Sequence, residues 1–176
     1  MIMLLMRISV PILLTAAAVL LVATGCRDKP APPVLTYRMG DKVQAGPLIY
    51  TIISSEWKAQ MGSGDQVQVP SKRFLLIHLS VTNGAAETIS VPQLTLTDES
   101  GQSYSEASAA IDVPTLWGLI RDVKPTDTLE GYVLFDAEPK SYKLKVEGGS
   151  SSNEMALVEI PLQFEMKRSE IPSAIK

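Results

Sequence analysis

The sequence predicts an all-β protein, folded as an antiparallel β-sandwich behind an N-terminal export signal. Three observations support this fold class. Short segments in which apolar and polar residues alternate recur along the chain, turn-forming residues separate them, and no stretch beyond the first 25 residues shows a long helical repeat. Because alternation with a period of two leaves each strand with one apolar face, several such strands are expected to pack as two facing sheets.

The predicted strands are apolar or alternating runs bounded by turn residues. The run Phe74–Thr82 ends at the turn pair Asn83-Gly84, and its odd-numbered apolar side chains share the face that we assign to the core. The sequence D-E-S-G at 98–101 predicts a tight hairpin turn in which Gly101 adopts a positive φ. Strands are predicted at residues 48–53, 74–82, 88–97, 128–136, 142–146 and 156–160, and a single helical turn at 114–120.

The first 25 residues have the features of a secretory signal. Arg7 is their sole charged residue, and an apolar run from Ile8 to Gly25 follows it. An uncleaved transmembrane helix with a buried cysteine is the alternative, because the run is long enough to cross a bilayer. The sequence A-T-G-C that ends at Cys26 resembles the bacterial lipobox, although Ala23 stands where leucine is commonest. The resemblance implies that Cys26 receives a diacylglycerol, with acyl chains such as palmitate, and becomes the N-terminus after cleavage.

Cleavage before Cys26 divides the chain into a signal peptide at 1–25, a lipidated cysteine with a proline-rich linker at 26–36, a sandwich at 37–164 and a polar tail at 165–176. An extended linker of this length would hold the sandwich about 30 Å from the bilayer. The 151 residues after the signal carry 15 basic and 19 acidic side chains, and this acidic balance argues against a nucleic-acid partner. With the single cysteine lipidated, no disulfide bond forms, and stability depends on the hydrophobic core.

Four segments of the chain carry a resemblance to one bacterial family. They read M-G-D-K-V-Q-A-G-P-L-I-Y-T-I, R-F-L-L-I-H-L-S-V-T-N, L-T-L-T-D-E-S-G-Q-S-Y and V-K-P-T-D-T-L-E-G-Y-V-L-F-D. They are similar to the immunoglobulin-like domain of unknown function found in many secreted lipoproteins, whose members are sometimes labelled telomeric repeat-binding factor. The shared motifs are a strand that ends in Asn83, the D-x-x-G turn, and a proline turn before a G-x-V-x-F strand.

At the proline turn family members commonly have Pro-Gly, whereas this chain has Pro125-Thr126. The resemblance extends over residues 37–148 and implies an immunoglobulin-like, extracytoplasmic β-sandwich that serves in binding or assembly. The family has no known catalytic residues, so the resemblance assigns no catalytic role to any position of this chain.

The sequence contains no recognisable catalytic or metal site. His78 is the single histidine, it lies in mid-strand on the face opposite the predicted core, and no G-x-S-x-G nucleophile motif occurs. One cysteine and one histidine cannot supply a zinc site, and the methionines after the signal are scattered. Asp65, Asp98 and Glu99 lie in predicted loops where carboxylates could bind calcium, but without EF-hand spacing we interpret them as solvated turn residues. We therefore expect no enzyme activity, metal or cofactor.

The segment Ile111–Ile120, I-D-V-P-T-L-W-G-L-I, is the best candidate for contact with a partner. It is apolar and lies between predicted strands, and such loops often carry binding function. We predict Leu116, Trp117 and Leu119 as partner contacts. The competing interpretation, which we weigh more heavily, is that the segment folds over the sandwich and covers one end of the core. Trp57, just after a predicted strand, invites the same two interpretations.

These observations predict a lipid-anchored extracytoplasmic bacterial lipoprotein whose sandwich is a non-catalytic binding or envelope-assembly module. Its expected partners are a bacterial cell membrane, reached through the N-terminal lipid, and an envelope protein or polymer. Two alternatives stay open: an envelope enzyme or enzyme inhibitor with an unrecognised site, and a structural spacer without a discrete ligand.

Overall fold

The computed structural model describes residues 33–62, 64, 67–108, 113–149 and 152–162. The predicted signal peptide, Cys26, the polar tail and most of the linker lie outside these residues. Within them the chain forms eleven β-strands and no α-helix, so no helix of the described chain is long and apolar enough to cross a membrane. The predicted all-β fold class is confirmed.

The strands form two facing sheets and a short ladder. In chain order they are β1 Thr36–Arg38, β2 Lys42–Ala45, β3 Leu48–Lys58, β4 Phe74–Asn83, β5 Ile89–Ser90, β6 Thr95–Thr97, β7 Ser103–Ser105, β8 Asp122–Val123, β9 Thr128–Asp136, β10 Tyr142–Glu147 and β11 Met155–Ile160. The five-stranded sheet has the order β1-β11-β10-β6-β7, the four-stranded sheet has the order β2-β3-β4-β9, and β5 pairs with β8. Every strand pair is antiparallel except β1 with β11.

The core lies between the two sheets, and β4 follows the predicted alternation. Leu75, Ile77, Leu79 and Val81 expose no surface and belong to the main core cluster. This confirms the face that the period-two pattern assigned to the core. On the outer face of the same sheet, Phe74 and other buried side chains form a second cluster, whose remaining members are Met61, Leu76 and Leu134.

Two predicted elements differ in the structure. The predicted strand 88–97 is divided between β5 and β6, which belong to different sheets, because Pro92 has no N–H to continue a ladder. The predicted helical turn at 114–120 is wrong: Thr115 has a φ of +61°, and Leu116 forms a parallel bridge with Tyr132 of β9. A β-branched residue in the left-handed region cannot belong to a right-handed helix.

Strand β3 extends beyond the predicted residues 48–53. The sequence pattern missed its second half because a β-bulge interrupts the alternation. The register with β4 shifts between Ile52 and Ser54, which places Ile53 on the solvent side. A bulge inserts one residue and so reverses the alternation beyond it. After the bulge Trp57 faces inward and packs, half-buried, against the main core.

The hydrogen bonds at the end of β4 explain why this strand ends in an asparagine. The Asn83 side chain is completely buried; its Nδ2 donates to the carbonyl oxygens of Glu87 and Val123, at 2.7 and 2.8 Å, and its Oδ1 accepts from the Ala85 N–H at 2.8 Å. The Asn83 carbonyl also accepts from the N–H of Thr126, whose φ is +62°. The proline turn therefore keeps a left-handed conformation although threonine occupies the position where family members commonly have glycine.

Candidate binding surface

The segment 113–121, which contains the predicted contacts, adds a short parallel bridge to the free edge of β9. The N–H of Trp117 donates to the carbonyl oxygen of Tyr132 at 2.8 Å, and the N–H of Tyr132 donates to the carbonyl oxygen of Thr115 at 3.0 Å. Leu116 is the residue paired with Tyr132 in this bridge. An edge strand would otherwise present unpaired polar groups, so the bridge also protects the sheet.

Extended geometry sends the two neighbouring side chains to opposite faces of the sheet. Leu116 packs against the outer cluster, and Trp117 packs against the main core. Both side chains are half-buried, as expected if the segment covers the sandwich. The indole Nε1 of Trp117 is buried and has no hydrogen-bond partner in the described chain.

Gly131 makes room for Trp117. A Cβ atom at position 131 would overlap the Thr115 carbonyl oxygen and the indole Nε1 and Cδ1 of Trp117. The glycine of the G-x-V-x-F strand is therefore required by the close approach of the segment to β9, not by a positive φ.

A buried ion pair holds the other end of the segment. The Arg121 guanidinium forms a two-pronged contact with the Glu106 carboxylate, and the two side chains are only 2% and 6% exposed. Glu106 Oε1 also accepts the backbone N–H of Leu94 at 2.6 Å, and Arg121 Nε donates to the Gly118 carbonyl oxygen at 2.6 Å. The guanidinium carbon lies 5.5 Å from the centre of the Trp117 indole, so Arg121 and Trp117 form a cation–π contact within the segment.

Between these two residues the chain exposes two large apolar side chains. Leu119 is 70% exposed and Ile120 is 84% exposed, and Gly118 precedes them. We call Leu119 and Ile120 the apolar tip. A groove of about 350 Å³ lies beside it, lined mainly by Gln93, Glu106, Val113, Leu116, Trp117, Leu119 and Arg121. The described structure thus places the predicted contacts in one segment but divides them, with Leu116 and Trp117 packed and Leu119 open to solvent.

The single histidine contacts a carboxylate and a tyrosine ring on the outer face of the four-stranded sheet. His78 Nε2 is 2.9 Å from Glu130 Oε1, and its ring stacks on Tyr132 with centroids 4.5 Å apart. These residues occupy the outer face of β4 and β9, beside the second apolar cluster. The arrangement orients the imidazole on the sheet surface.

Asp98 has a structural role in the D-x-x-G turn. Its Oδ1 accepts from the N–H groups of Ser100 and Gln102, both at 2.9 Å, and its Oδ2 accepts from Lys140 Nζ at 2.7 Å. The hydrogen bond from the Lys140 ammonium is the main cause that holds the pKa of the Asp98 carboxyl well below its usual range. Gly101 has a φ of +85°, as the turn sequence predicted.

The metal-ligand candidates of the sequence lie only partly within the described residues. Asp65, which was considered with Asp98 and Glu99 as a calcium ligand, lies outside the described residues, as do Cys26, Ile111 and Asp112. Among the described residues, no three histidine, cysteine, aspartate or glutamate side chains come close enough together to hold a metal ion.

Sequence reasoning missed the pair of Glu106 and Arg121. The two residues are 15 positions apart, no motif links them, and each is of a type that usually lies on the surface. Only the interruption of the apolar run by Arg121, directly after Ile120, could have drawn attention to it.

These contacts define the class of protein. It is a β-sandwich in which a segment pairs with the β9 edge, is held at its other end by a buried ion pair, and exposes an apolar tip between these contacts. The chain belongs to the family described as "Domain of unknown function (DUF4352)", whose model matches residues 37–155. The predicted family membership is confirmed. No curated protein is similar enough in sequence to count as a relative.

Several solved structures have a similar fold at low identity. The yjhA protein of Bacillus subtilis has a TM-score of 0.57 at 15% identity, over 70% of this chain and 98% of that one. The ycdA protein of Bacillus subtilis, provisionally described as a lipoprotein, has a TM-score of 0.57 at 12% identity, over 70% of this chain and 39% of that one. The secreted protein MPT63 of Mycobacterium tuberculosis has a TM-score of 0.52 at 12% identity, over 74% and 99% of the two chains. At these identities the likeness establishes the fold alone.

Proposed function

We propose that the protein is a lipid-anchored, extracytoplasmic module that binds an envelope protein or polymer and catalyses no reaction. Support for the location comes from the signal-like N-terminus and from the lipobox-like sequence that ends at Cys26. The fold adds to this support, because similar structures include a Bacillus subtilis protein provisionally described as a lipoprotein and a secreted protein of Mycobacterium tuberculosis.

The observation that carries the binding proposal is the apolar tip. Leu119 and Ile120 are adjacent and mostly exposed, and they lie between the half-buried Trp117 and the buried Arg121. A fixed apolar contact loses little conformational entropy on binding, which is the advantage of a preorganised interface. Apolar side chains that are exposed together commonly mark an interaction site.

The order of the strands separates the apolar tip from β1. β1, the first strand after the linker, lies at one edge of the five-stranded sheet, and β9 lies at one edge of the four-stranded sheet. Because β11 packs near β2 whereas β7 packs near β9, these two edges lie on opposite sides of the sandwich. The apolar tip thus lies on the side of the sandwich away from β1, the strand that follows the linker in the sequence.

Site-specific photo-crosslinking in intact host cells tests the binding proposal. We expect a photoreactive amino acid at position 120 to form a discrete adduct with an envelope component. The same residue at position 69 is the matched control, because Val69 is 73% exposed but lies in the β3–β4 connection. No adduct from position 120, or the same adduct from both positions, would contradict the proposal.

The lipid anchor requires a separate test. We expect Cys26→Ala to remove the incorporation of labelled palmitate and to leave the precursor unprocessed, because the thiol is the group that is acylated. Labelling of the variant at the level of the unaltered protein would contradict the anchor but would leave the binding proposal intact.

A further inference from the structure

A groove that shares no lining residue with the apolar tip lies beside the D-x-x-G turn. We call it the turn groove. It has a volume of about 680 Å³ and lies on the outer side of β6, β10 and β11. Small-ligand sites commonly have volumes of about 300–1,000 Å³. Its lining includes Thr97, Glu99, Lys143, Leu157, Glu159 and Pro161.

The hydrogen bonds of Asp98 organise one wall of the turn groove. The Asp98 carboxylate binds two backbone N–H groups of its own turn, the hydroxyl of Ser100 at 2.6 Å and the ammonium of Lys140 at 2.7 Å. The Asp98 side chain is only 3% exposed, and its carboxylate is already occupied by the Lys140 ammonium. Ligand contacts must therefore come from other charged groups of the groove.

Within the described part of the chain, three charged side chains of the groove have no hydrogen-bond or ion-pair partner. Lys143, Glu159 and Glu99 form no side-chain hydrogen bond or ion pair with any described residue. Lys143 is paired in register with Glu159 on β11 and with Thr97 on β6, so a free cation and a free carboxylate face the same space. Lys145, two residues further along β10, instead pairs with Glu147 at 2.8 Å.

The groove also has an apolar component. Leu157 and Pro161 line it beside the charged groups. A simple inorganic ion would leave this surface uncovered. A phosphate would face two carboxylates, Glu99 and Glu159, with one compensating lysine. The combination fits a ligand that carries a carboxylate, at least one ammonium group and an apolar body.

We propose that the turn groove binds a short peptide through its free carboxylate and its ammonium groups. The Lys143 ammonium donates to the peptide carboxylate, the Glu159 and Glu99 carboxylates accept from the peptide ammonium groups, and an apolar side chain of the peptide lies against Leu157 and Pro161. Each charge of the ligand then meets an opposite charge that has no other partner in the described chain. The inference does not rest on the apolar tip, so either proposal can fail alone.

A titration of the ¹⁵N-labelled protein tests this inference, with the dipeptide Ala-Lys as the probe. We expect saturable shifts of backbone signals at Thr97, Glu99 and Lys143 at millimolar peptide. We expect Lys143→Ala to weaken binding about tenfold, the loss typical of one charge-assisted contact. Lys145→Ala is the matched control and should leave the affinity within about twofold, since Lys145 lies on the same strand but outside the groove.

Two further arms make the result decisive. The acetylated and amidated form of Ala-Lys should not bind, because it lacks the free carboxylate and the terminal ammonium. Absence of saturable shifts with the free dipeptide, equal binding of the blocked form, or unchanged affinity of Lys143→Ala would overturn the proposal. Binding that is seen only after removal of residues 163–176 would also overturn it, because the groove would then be occupied by the chain itself.

Discussion

Both halves of the segment 113–121 carry large apolar side chains, but those of the first half pack against the sandwich and those of the second half face solvent. In the first half Leu116 and Trp117 pack against the two apolar clusters and pair with β9. In the second half Leu119 and Ile120 are mostly exposed. Packed apolar residues stabilise the fold, whereas exposed ones contribute little to it. The difference separates the side chains needed for folding from those available for a partner.

The buried ion pair should show the largest effect on stability. We expect Glu106→Gln to lower the free energy of unfolding by about 3–4 kcal/mol, because it leaves the Arg121 guanidinium buried without its counter-charge. Urea denaturation measures this change. Glu56→Gln is the control, because the pair of Glu56 with Lys58 is substantially exposed and should contribute less than about 1 kcal/mol. Equal effects of the two variants would contradict the burial of the pair.

Trp117 should show the next largest effect. We expect Trp117→Ala to cost about 3 kcal/mol, near the lower limit for a large aromatic side chain because Trp117 is only half-buried. Trp117→Phe should cost far less, since phenylalanine keeps much of the apolar surface and removes an indole N–H that lacks a partner. Thermal and urea denaturation compare the variants. Near-native stability of Trp117→Ala would mean that the side chain is a surface contact instead.

A glycine in the turn that starts the segment should raise the stability of the protein, whereas the preceding substitutions lower it. Thr115 has a φ of +61° in a turn closed by a 3.1 Å bond from the Leu116 N–H to the Val113 carbonyl oxygen. We expect Thr115→Gly to raise the free energy of unfolding by about 0.5–1 kcal/mol, because relief of the left-handed strain exceeds the added entropy of the unfolded chain. Thr126→Gly, at a φ of +62°, should behave alike. A loss of stability in both variants would refute this account of strain.

The apolar tip should show the smallest effect on stability. We expect the double variant Leu119→Ser and Ile120→Ser to change the free energy of unfolding by less than about 0.5 kcal/mol, as is usual for exposed positions. Val69→Ser provides the comparison at another exposed apolar residue. In cells the double variant should lose the crosslinked adduct formed from a flanking position, whereas Val69→Ser should retain it. A strongly destabilised double variant would mean that the tip is part of the core.

Much of the fold followed from local sequence patterns. The alternation in β4 predicted its core face, and Asp98 to Gly101 predicted the hairpin turn. Prediction failed where one residue interrupts a pattern. The bulge after Ile52 hid the second half of β3, and Pro92 divided a run that looked continuous. At the candidate site the sequence pattern singles out the segment, but it cannot sort the residues into packed and exposed ones.

The sequence by itself determined the family, the fold class, the core face of β4 and the expectation of a lipid on Cys26, because each depends on neighbouring residues or on a short motif. Only the tertiary structure decided that Trp117 fills the space above Gly131, that Glu106 meets Arg121, and that Leu119 and Ile120 are left uncovered. The physical reason is that these contacts depend on how distant segments align along the edge of β9. An apolar run has the same local pattern whether a neighbouring strand covers it or leaves it exposed.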